Sequence, residues 1–266
     1  MAGLETHYSA SDIEARILAA LRAAGLDPEQ QQSPEALAAL DHFHTGGLRA
    51  SRELMEMAAI RAEHRVLDIG AGLAGPARLI AFEHGCHVDC IEPSRDFCTG
   101  AALLNRLTGL DGRVKTHEGS ALDLPFADDS FDVVWMQNVG MNIADKETLY
   151  CEIHRVLRRG GRYAFQEMAA GADATTYFPL PWATDPADSL LVSTEEMCAM
   201  LGAIGFIAEV MEDTSDDHLS RTAKESAPSP LSLGVYVENL KEKSANARRS
   251  LEEGQIRLVR GVFRAA

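Results

Sequence analysis

A glycine-containing stretch at residues 65–76 constrains the fold of this chain more than any other feature. It begins with a short apolar run, continues through Gly70, Gly72 and Gly75 at GxGxxG spacing, and leads into an apolar-periodic segment at residues 77–82. The pattern predicts a buried strand that turns sharply into a helix. Glycines are needed where the backbone comes close to a ligand, so the stretch predicts a binding site at the end of this strand.

Asp68, two residues before the first glycine, helps to distinguish between two kinds of binding site. The glycine spacing alone also fits a dinucleotide-binding fold. A carboxylate at the tip of the strand would repel an anionic pyrophosphate, whereas it suits a cationic group such as an α-ammonium. The pattern therefore favours a cationic ligand. The structural alternative is a glycine-rich turn with a capping aspartate.

The overall charge argues against nucleic acid or an anionic membrane as the main partner. The 266 residues include 25 Lys and Arg against 40 Asp and Glu, which gives a formal net charge of −15. Such a surface repels phosphate groups. Five cysteines without a CxxC pair predict reduced thiols in a cytoplasmic protein. The charged N-terminal segment predicts neither a signal peptide nor a membrane span, and no metal site is expected.

The apolar periodicity and the turn residues predict an alternation of helices and strands. Helices are expected over residues 9–24, 34–40, 48–59, 95–107, around 149–157, over 193–205 and over 235–253, and strands over 87–91, 113–118, from 131 onward, and over 162–167, 206–211 and 256–263. The proline-rich segment 170–191 is expected to be an irregular crossover, and residues 214–232 a polar surface excursion. The alternation predicts an α/β fold.

Glu92 follows the second predicted strand, 17 residues after Gly75. This is close to the distance at which an acidic residue reaches a ribose in folds of this kind. A carboxylate accepts two hydroxyl hydrogens at once, as a ribose diol requires. The alternative is a solvent-exposed acid at the end of a strand.

Several motifs together resemble the class I S-adenosylmethionine-dependent methyltransferases. The V-L-D-I-G-x-G run at residues 66–72 is similar to their first motif, and the segments 119–135 and 152–162 resemble their small-molecule branch, which includes ubiquinone-biosynthesis, sterol and glycine/sarcosine-type enzymes. The segments 41–47, 141–146 and 178–186 look closest to glycine/sarcosine/dimethylglycine-type N-methyltransferases. The resemblance implies a Rossmann-like, seven-stranded, mostly parallel sheet whose last strand is antiparallel and inserted beside the fifth.

The resemblance also implies a set of residues that bind S-adenosylmethionine. Asp68, Gly70, Ala71 and Gly72 would approach its methionine part together with Gln137, Glu92 would hold the ribose with Pro93 beside it, and Ser120 and Ala121 would flank the adenine. The family usually has an acid where this chain has Ser120. The adenine amino group would therefore be bound by the main chain or by Asp123 instead. The motif typical of DNA and RNA base methyltransferases is absent from residues 136–139.

Candidates for catalysis and for acceptor binding come from the segments around this site. His42 and His44 precede a Gly-Gly pair and are expected to lie over the mouth of the cofactor site, where they are candidate bases. Glu167 is a third candidate base. The alternative is that the two histidines are surface residues of a loop. The expected acceptor-binding residues are Phe43, Asn138, Met141, Tyr177, Phe178 and Trp182. The last three aromatic residues would form a cation-binding or apolar wall, or they would simply pack.

The sequence predicts one methyltransferase domain over the whole chain. Its parts would be an N-terminal helical cap (1–60), a cofactor-binding half (61–170), a substrate-side crossover (171–192) and the C-terminal part of the sheet (193–266). Three functions remain open: methyl transfer to the nitrogen of a small amine or amino acid, O- or C-methyl transfer to a natural-product intermediate, and a non-methylating use of the cofactor. The expected partners are a small-molecule substrate and, as one option, a second copy of the chain.

Overall fold

The computed structural model describes residues 12–172, 176–222 and 230–266. The beginning of the first predicted helix, residues 9–11, lies outside this part. The helices are α1 (Ile13–Ala23), α2 (Pro34–Asp41), α3 (Gly47–Met57), α4 (Gly75–His84), α5 (Arg95–Leu107), α6 (Lys146–Val156), α7 (Thr194–Ile204), α8 (Ser215–Arg221) and α9 (Leu240–Glu252). Short 3₁₀ turns are found at Gly140–Asn142, Pro186–Asp188 and Leu233–Val235.

Seven strands form a single sheet in this part of the chain. They are β1 (Arg65–Ile69), β2 (His87–Glu92), β3 (Val114–Glu118), β4 (Phe131–Gln137), β5 (Leu157–Ala170), β6 (Phe206–Asp213) and β7 (Ile256–Ala265). Their spatial order is β3-β2-β1-β4-β5-β7-β6. The first five strands are parallel, and β7 runs antiparallel between β5 and β6. The predicted Rossmann-like sheet with its inserted last strand is confirmed.

Helices cover both faces of the sheet and bury two apolar layers. One layer joins α3 and α4 to residues such as Val66 and Trp135. The other joins α6 and α7 to residues such as Phe165 and Val134. The central strands are buried on both faces, and all seven residues of β4 are buried. This is the arrangement expected for parallel strands covered by helices on both sides.

The first two helices form a separate apolar layer, in which α1 packs on α5 and α2 packs on α4. Ile17 and Leu21 of α1 and Leu37 of α2 are fully buried there with Leu104 of α5. The cap leads into the loop at residues 42–46, here called the cap loop. This loop lies over the carboxyl ends of the strands. The cap thus positions the loop that carries the two predicted histidines.

The predicted boundary between α6 and β5 is wrong. The Arg-Arg-Gly-Gly segment at residues 158–161 is expected to end a helix, yet α6 ends at Val156 and β5 begins at Leu157. Leu157 pairs with Phe131 of β4, and Arg162 pairs with Val133, so the intervening residues form an irregularity within the strand. A left-handed backbone at Gly160 (φ +80°) allows this bend.

Two further predictions near the C-terminus need correction. The excursion expected at residues 214–232 contains α8, whose first residue, Ser215, is tied to β7 by a hydrogen bond from the Leu258 N–H to Oγ (2.9 Å). The helix expected from residue 235 begins at Leu240. Tyr236 and Val237 are instead buried before it, where Tyr236 packs on Phe97 and Phe43.

Candidate cofactor site

The turn after β1 has the tight geometry that its glycines predict. Gly70 (φ +66°) and Gly72 (φ +54°) adopt left-handed backbone conformations. A Cβ atom at Gly70 would lie 2.5 Å from the side chain of Val139, and one at Gly75 would lie 2.5 Å from the carbonyl oxygen of Asp41. Glycine is therefore required here for backbone conformation and for close packing, and α4 begins directly after the turn.

Asp68 is the polar group at the centre of the site. Its side chain is only 3% exposed, and its Oδ2 atom has no hydrogen-bond partner. Burial raises the pKa of this carboxyl well above its usual range, and the nearby carboxylate of Glu92 raises it further. A buried acceptor without a partner is costly, so its presence at the end of β1 indicates a group that binds a donor from a ligand.

Glu92 lies beside Asp68 at the end of β2 and shapes the glycine turn. Its Oε2 accepts a hydrogen bond from the Gly72 N–H (2.9 Å), and its Oε1 accepts one from the Ser94 N–H (3.0 Å). Burial raises the pKa of this carboxyl, while the two backbone N–H groups lower it. Each oxygen retains a lone pair, so the carboxylate can still accept hydroxyl groups from a ligand. The neighbouring Pro93 is exposed.

A pocket of about 260 Å³, a volume that includes space open to solvent, lies next to the unpartnered oxygen of Asp68. It is lined by Asp41, Phe43, His44, Asp68, Gly70, Ala71, Pro76 and Gln137. Four predicted cofactor residues (Asp68, Gly70, Ala71 and Gln137) therefore share one cavity with two residues of the cap loop. These lining side chains include carboxylates and no Lys or Arg, so the cavity is suited to a ligand with a positive charge.

His44 is held in a closed hydrogen-bond network. Its Nε2 lies 2.9 Å from the Ser51 Oγ, which donates to the Gln137 Oε1 (3.2 Å), and the Gln137 Nε2 lies 3.3 Å from the His44 Nδ1. The Trp135 Nε1–H also donates to the Gln137 Oε1 (3.0 Å). Burial and the neighbouring His42 lower the pKa of His44 to about 3. His44 is therefore a neutral ring whose nitrogens are both engaged.

A buried ion pair fixes the position of the other histidine. Arg78 of α4 is fully buried and donates to the Asp41 Oδ2 (2.7 Å) and to the Asn105 Oδ1 (2.8 Å). The Asp41 Oδ1 lies 2.8 Å from the His42 Nδ1. The His42 Nε2 is buried without a hydrogen-bond partner. Asp41 thus orients the ring so that Nε2 is its free nitrogen. The His42 and His44 ring centres lie 5.3 Å apart.

The ends of β4 and β5 bind the cap loop. Asn138 (φ +55°) accepts a hydrogen bond from the Thr45 N–H at its Oδ1 (3.2 Å), and the Gln166 Nε2 donates to the Thr45 carbonyl oxygen (2.7 Å). Glu167, the next residue of β5, instead accepts from the N–H groups of Val139 (3.0 Å) and Gly140 (2.9 Å). Successive residues of a strand point to opposite faces, so Glu167 lies on the face away from the cap loop.

Ser120 and Ala121 lie at the neighbouring edge of the site, just after β3. The Ser120 Oγ accepts a hydrogen bond from the Leu122 N–H (3.1 Å), and the two residues are half-buried. The Asp123 side chain is exposed. This loop adjoins the end of β2, because the Gly119 N–H donates to the Glu92 carbonyl oxygen (3.1 Å).

Asn138 binds the cap loop, and the other predicted acceptor-binding residues divide into three groups. Phe43 lines the cavity and packs on Phe97. Met141, Phe178 and Trp182 belong to an apolar cluster on β5 and β7. Tyr177 is not among the cavity-lining residues: its ring lies beneath the Arg249 guanidinium (3.8 Å), and its hydroxyl donates to Glu253 (2.7 Å).

Three residues of the site were missed by the analysis of the sequence. All three are buried. Asp41 bonds to His42 and Ser51 bonds to His44, while Arg78 acts on His42 through Asp41. Arg78 could have been recognised from the sequence, because it is a charged residue within an otherwise apolar helical segment. A charged residue in such a place is seldom fully buried unless it is paired.

The described architecture places the site where open α/β sheets bind ligands. The strand order reverses at β1, whose neighbours β2 and β4 extend to opposite sides, and the cavity lies at the carboxyl end of β1. The class defined by this fold and site is that of the Rossmann-like, ligand-binding α/β proteins.

Comparison with known families then identifies the domain. Residues 67–165 match a family model described as "Methyltransferase domain". A glycine/sarcosine/dimethylglycine N-methyltransferase of Actinopolyspora halophila is 34% identical over 130 residues, which cover 49% of this chain and 23% of that relative. Residues 67–165 therefore resemble a methyltransferase domain, and the predicted resemblance is confirmed. The match spans less than a quarter of that relative's length.

Solved structures with a similar fold support the architecture. Geranyl diphosphate C-methyltransferase from Streptomyces coelicolor A3(2), in complex with S-adenosyl-L-homocysteine, has a TM-score of 0.68 at 16% identity and covers 82% of this chain and 79% of its own. The [4+2]-cyclase SpnF has a TM-score of 0.64 at 21% identity, with 82% and 80% covered. At these identities the likeness concerns the fold alone. None of the described helices is long and apolar enough to cross a membrane.

Proposed function

We propose that this protein is an S-adenosylmethionine-dependent methyltransferase that acts on the nitrogen of a small-molecule amine. The observation that carries the proposal is the unpartnered Oδ2 of Asp68, buried at the end of β1 beside the glycine turn. An α-ammonium group would donate to this oxygen and offset the cost of its burial. The family match over residues 67–165 supports the same cofactor.

The residues present fit the chemical groups of this cofactor. Asp68 would hold the ammonium group, Glu92 the ribose hydroxyls, and the Gly70–Gly72 backbone would approach without Cβ atoms in the way. Ser120 and Ala121, with Pro93 nearby, border the side on which the adenine is expected. When bound, S-adenosylmethionine supplies an electrophilic methyl group whose departing sulfur needs no proton.

The chain's own groups contribute binding and alignment. The cap loop, held by Asn138 and Gln166, forms one side of the cavity. Holding two reactants in line can supply much of the rate enhancement of such a displacement. His44 is neutral, and both its nitrogens are engaged, so it is suited to positioning Gln137. A neutral amine needs little base catalysis, which favours nitrogen as the acceptor.

The unpartnered Nε2 of His42 supports a second candidate function. A histidine oriented by a carboxylate has the geometry of a general base, and a phenol or a carbon acid would need one. His42 is not among the residues that line the cavity, so its ring would have to reach an acceptor bound beside it; such a base would serve O- or C-methyl transfer. A non-methylating reaction is the third candidate, since a solved structure with this fold is a [4+2]-cyclase.

An acceptor screen distinguishes these functions. The protein is incubated with methyl-labelled S-adenosylmethionine and with amines, amino acids or phenols, and label transfer is measured for wild type and His42→Asn. We expect transfer to an amine that survives His42→Asn. Transfer confined to phenols or carbon acids and lost in His42→Asn would assign the second function. Cofactor binding without any transfer would favour the third.

Two other features stay predictions from the sequence. A cytoplasmic location follows from the cysteine pattern, and a homodimer is one expected assembly. Sedimentation of the purified full chain tests the second of these directly, because a monomer and a dimer of a 28.8 kDa chain separate clearly.

A further inference from the structure

The pocket beside Asp68 offers no positive charge to an anionic ligand. Its described lining residues include the carboxylates of Asp41 and Asp68 and no Lys or Arg. His44 is the lining residue that could become a cation. Both its ring nitrogens are engaged, and burial with the neighbouring His42 lowers its pKa to about 3, so the ring is neutral at neutral pH. An anion bound here would therefore lie beside carboxylates without a compensating cation.

The buried cations of the described part of the chain are already engaged. They are Arg78, Lys146 and Lys243. Arg78 donates to the Asp41 Oδ2 (2.7 Å), Lys146 donates to three backbone carbonyl oxygens, and Lys243 on α9 is likewise engaged. A ligand anion that took Arg78 away from Asp41 would leave that buried carboxylate unpaired, which is strongly unfavourable.

The groups at the ends of β4 and β5, next to the pocket residue Gln137, are neutral. Asn138 and Gln166 hold Thr45 of the cap loop through their side-chain amides. Phe43 adds an aromatic ring to the lining of the pocket. Amide oxygens accept hydrogen bonds from an amine, and the face of an aromatic ring attracts a cation. These side chains thus suit an amine and do not balance a carboxylate.

Two segments at this end of the sheet add negative charge. Residues 12–46, the described part of the cap with its loop, contain six Asp or Glu and two Arg. The crossover residues 176–192 contain two Asp, both exposed, and no Lys or Arg. The crossover adjoins the end of β4, because the Leu190 N–H donates to the Met141 carbonyl oxygen (2.8 Å). Charge of one sign around a cleft attracts cations and repels anions.

The charge balance of methyl transfer also suits an amine. The lone pair of a neutral amine nitrogen forms a bond to the methyl carbon while the C–S bond breaks, and the electron pair of that bond stays on sulfur. The positive charge thus moves from the sulfonium to the nitrogen, and a proton passes later from the product ammonium to water. Surroundings that tolerate one cation therefore do so throughout the reaction. A carboxylate or phosphate on the acceptor would instead add an unbalanced negative charge.

We propose that the methyl acceptor is an amine that carries no carboxylate or phosphate group. The inference rests on the proposed function and narrows its substrate class: neutral or cationic amines are accepted, whereas amino acids and phosphorylated amines are poor acceptors. The neutral amides beside Gln137 and the ring of Phe43 would contact such an amine, and the acidic segments would draw it to the pocket.

Two matched pairs of amines test this acceptor class. The compounds para-(aminomethyl)benzamide and para-(aminomethyl)benzoate differ in one charge, and so do γ-aminobutyramide and γ-aminobutyrate. The carboxylate lies away from the nitrogen, so the basicity of the amine is nearly the same within each pair. Transfer of labelled methyl from S-adenosylmethionine is measured as kcat/KM at low and at high salt. We expect each amide to exceed its acid at least about tenfold at low salt, and the ratio to fall at high salt because ions screen the repulsion.

Asp41→Asn tests the electrostatic origin of this preference. The variant removes one carboxylate from the pocket and leaves the charge of Arg78 without its partner, so we expect the amide-to-acid ratio to fall at least about tenfold. Glu63→Gln, at an exposed position before β1, removes the same charge at the opposite end of the sheet and should leave the ratio unchanged. The wild-type comparison decides the matter if Asp41→Asn is poorly folded.

An acid that wild type methylates as well as its amide, or a folded Asp41→Asn with an unchanged ratio, would overturn the proposal. If none of the four compounds is methylated, their Kd values for protein saturated with S-adenosylhomocysteine decide it. Tighter binding of the amides supports the acceptor class, and equal binding, tighter binding of the acids or no binding of any compound overturns it. Failure of the proposed function is seen separately, because it appears as a lack of S-adenosylhomocysteine binding in the same titration.

Discussion

Glu167 should make the stability of this protein fall as the pH rises towards neutrality. Burial raises the pKa of this carboxyl from its usual 4.5 to about 7, against the opposing effect of the Val139 and Gly140 N–H groups and of Lys146. The folded state therefore holds the proton more tightly than the unfolded state. The resulting contribution to stability is fully present below pH 4.5 and is lost as the pH rises through 7.

The magnitude follows from the two pKa values. The interval from 4.5 to about 7, at about 1.4 kcal/mol per pH unit, corresponds to a loss of about 3 kcal/mol above neutrality. Glu167→Gln keeps an amide oxygen for the two backbone N–H groups and carries no ionisable proton. The variant should therefore gain stability relative to wild type as the pH rises, by about 3 kcal/mol between pH 4.5 and pH 8.

Urea unfolding of wild type and Glu167→Gln at several pH values between 4.5 and 8 measures this difference. Groups far from residue 167 contribute equally to the two proteins and cancel. Glu56→Gln, at an exposed position of α3, controls for the loss of one negative charge. A difference between Glu167→Gln and wild type that stays constant with pH, or that falls as the pH rises, would refute the reasoning.

Three further outcomes are expected. Arg78→Met should lower the free energy of unfolding by about 3–5 kcal/mol in urea titration, because Asp41 would be left buried without its cation; Arg95→Met, at an exposed site, is the control, and equal effects would contradict the account. Gly70→Ala should cost about 1–2 kcal/mol for its left-handed backbone and more for the contact with Val139, so Val139→Ala should recover part of the loss in thermal unfolding; no recovery would contradict the assigned contact. The His44 ring, with a pKa lowered to about 3, should show no titration by NMR between pH 5 and 8, and a midpoint in that range would show that its burial is misassigned.

The elements that could be predicted from the sequence carry their own local signals. The helix expected over residues 95–107 was found with those bounds, because the Ser94 Oγ accepts from the Phe97 N–H and the apolar residues share one face. The helix after Ser193 was likewise predicted, and its capping box with Glu196 is present. Both signals lie within a few residues of the boundary that they set.

The errors arise where distant residues decide the structure. The start of β5 is set by pairing between Leu157 and Phe131, which outweighs the local helix-stop pattern at residues 158–161. Tyr177 carried no sequence signal of its partners Arg249 and Glu253, which lie more than 70 residues away. The role of this aromatic run in acceptor binding stays a prediction.

The residues of the candidate site likewise include some that could be predicted from local patterns and some that could not. The glycine turn, Asp68 and Glu92 follow a compact pattern and lie together, as expected. The ion pair of Asp41 with Arg78 joins α2 to α4, and the His44 network joins the cap loop to β4. These contacts depend on how the cap packs on the sheet. No periodicity or motif encodes them.

Asp68 is the residue on which the central claim depends most directly. Isothermal titration of wild type and Asp68→Asn with S-adenosylmethionine and S-adenosylhomocysteine, at two pH values, tests it. We expect wild type to bind both compounds, and more tightly as the pH rises, because a cationic ammonium requires the ionised form of a carboxyl whose pKa is raised by burial. Asp68→Asn should lose most of the affinity and its dependence on pH. No binding of either compound to folded wild type, or full affinity in Asp68→Asn, would contradict the account.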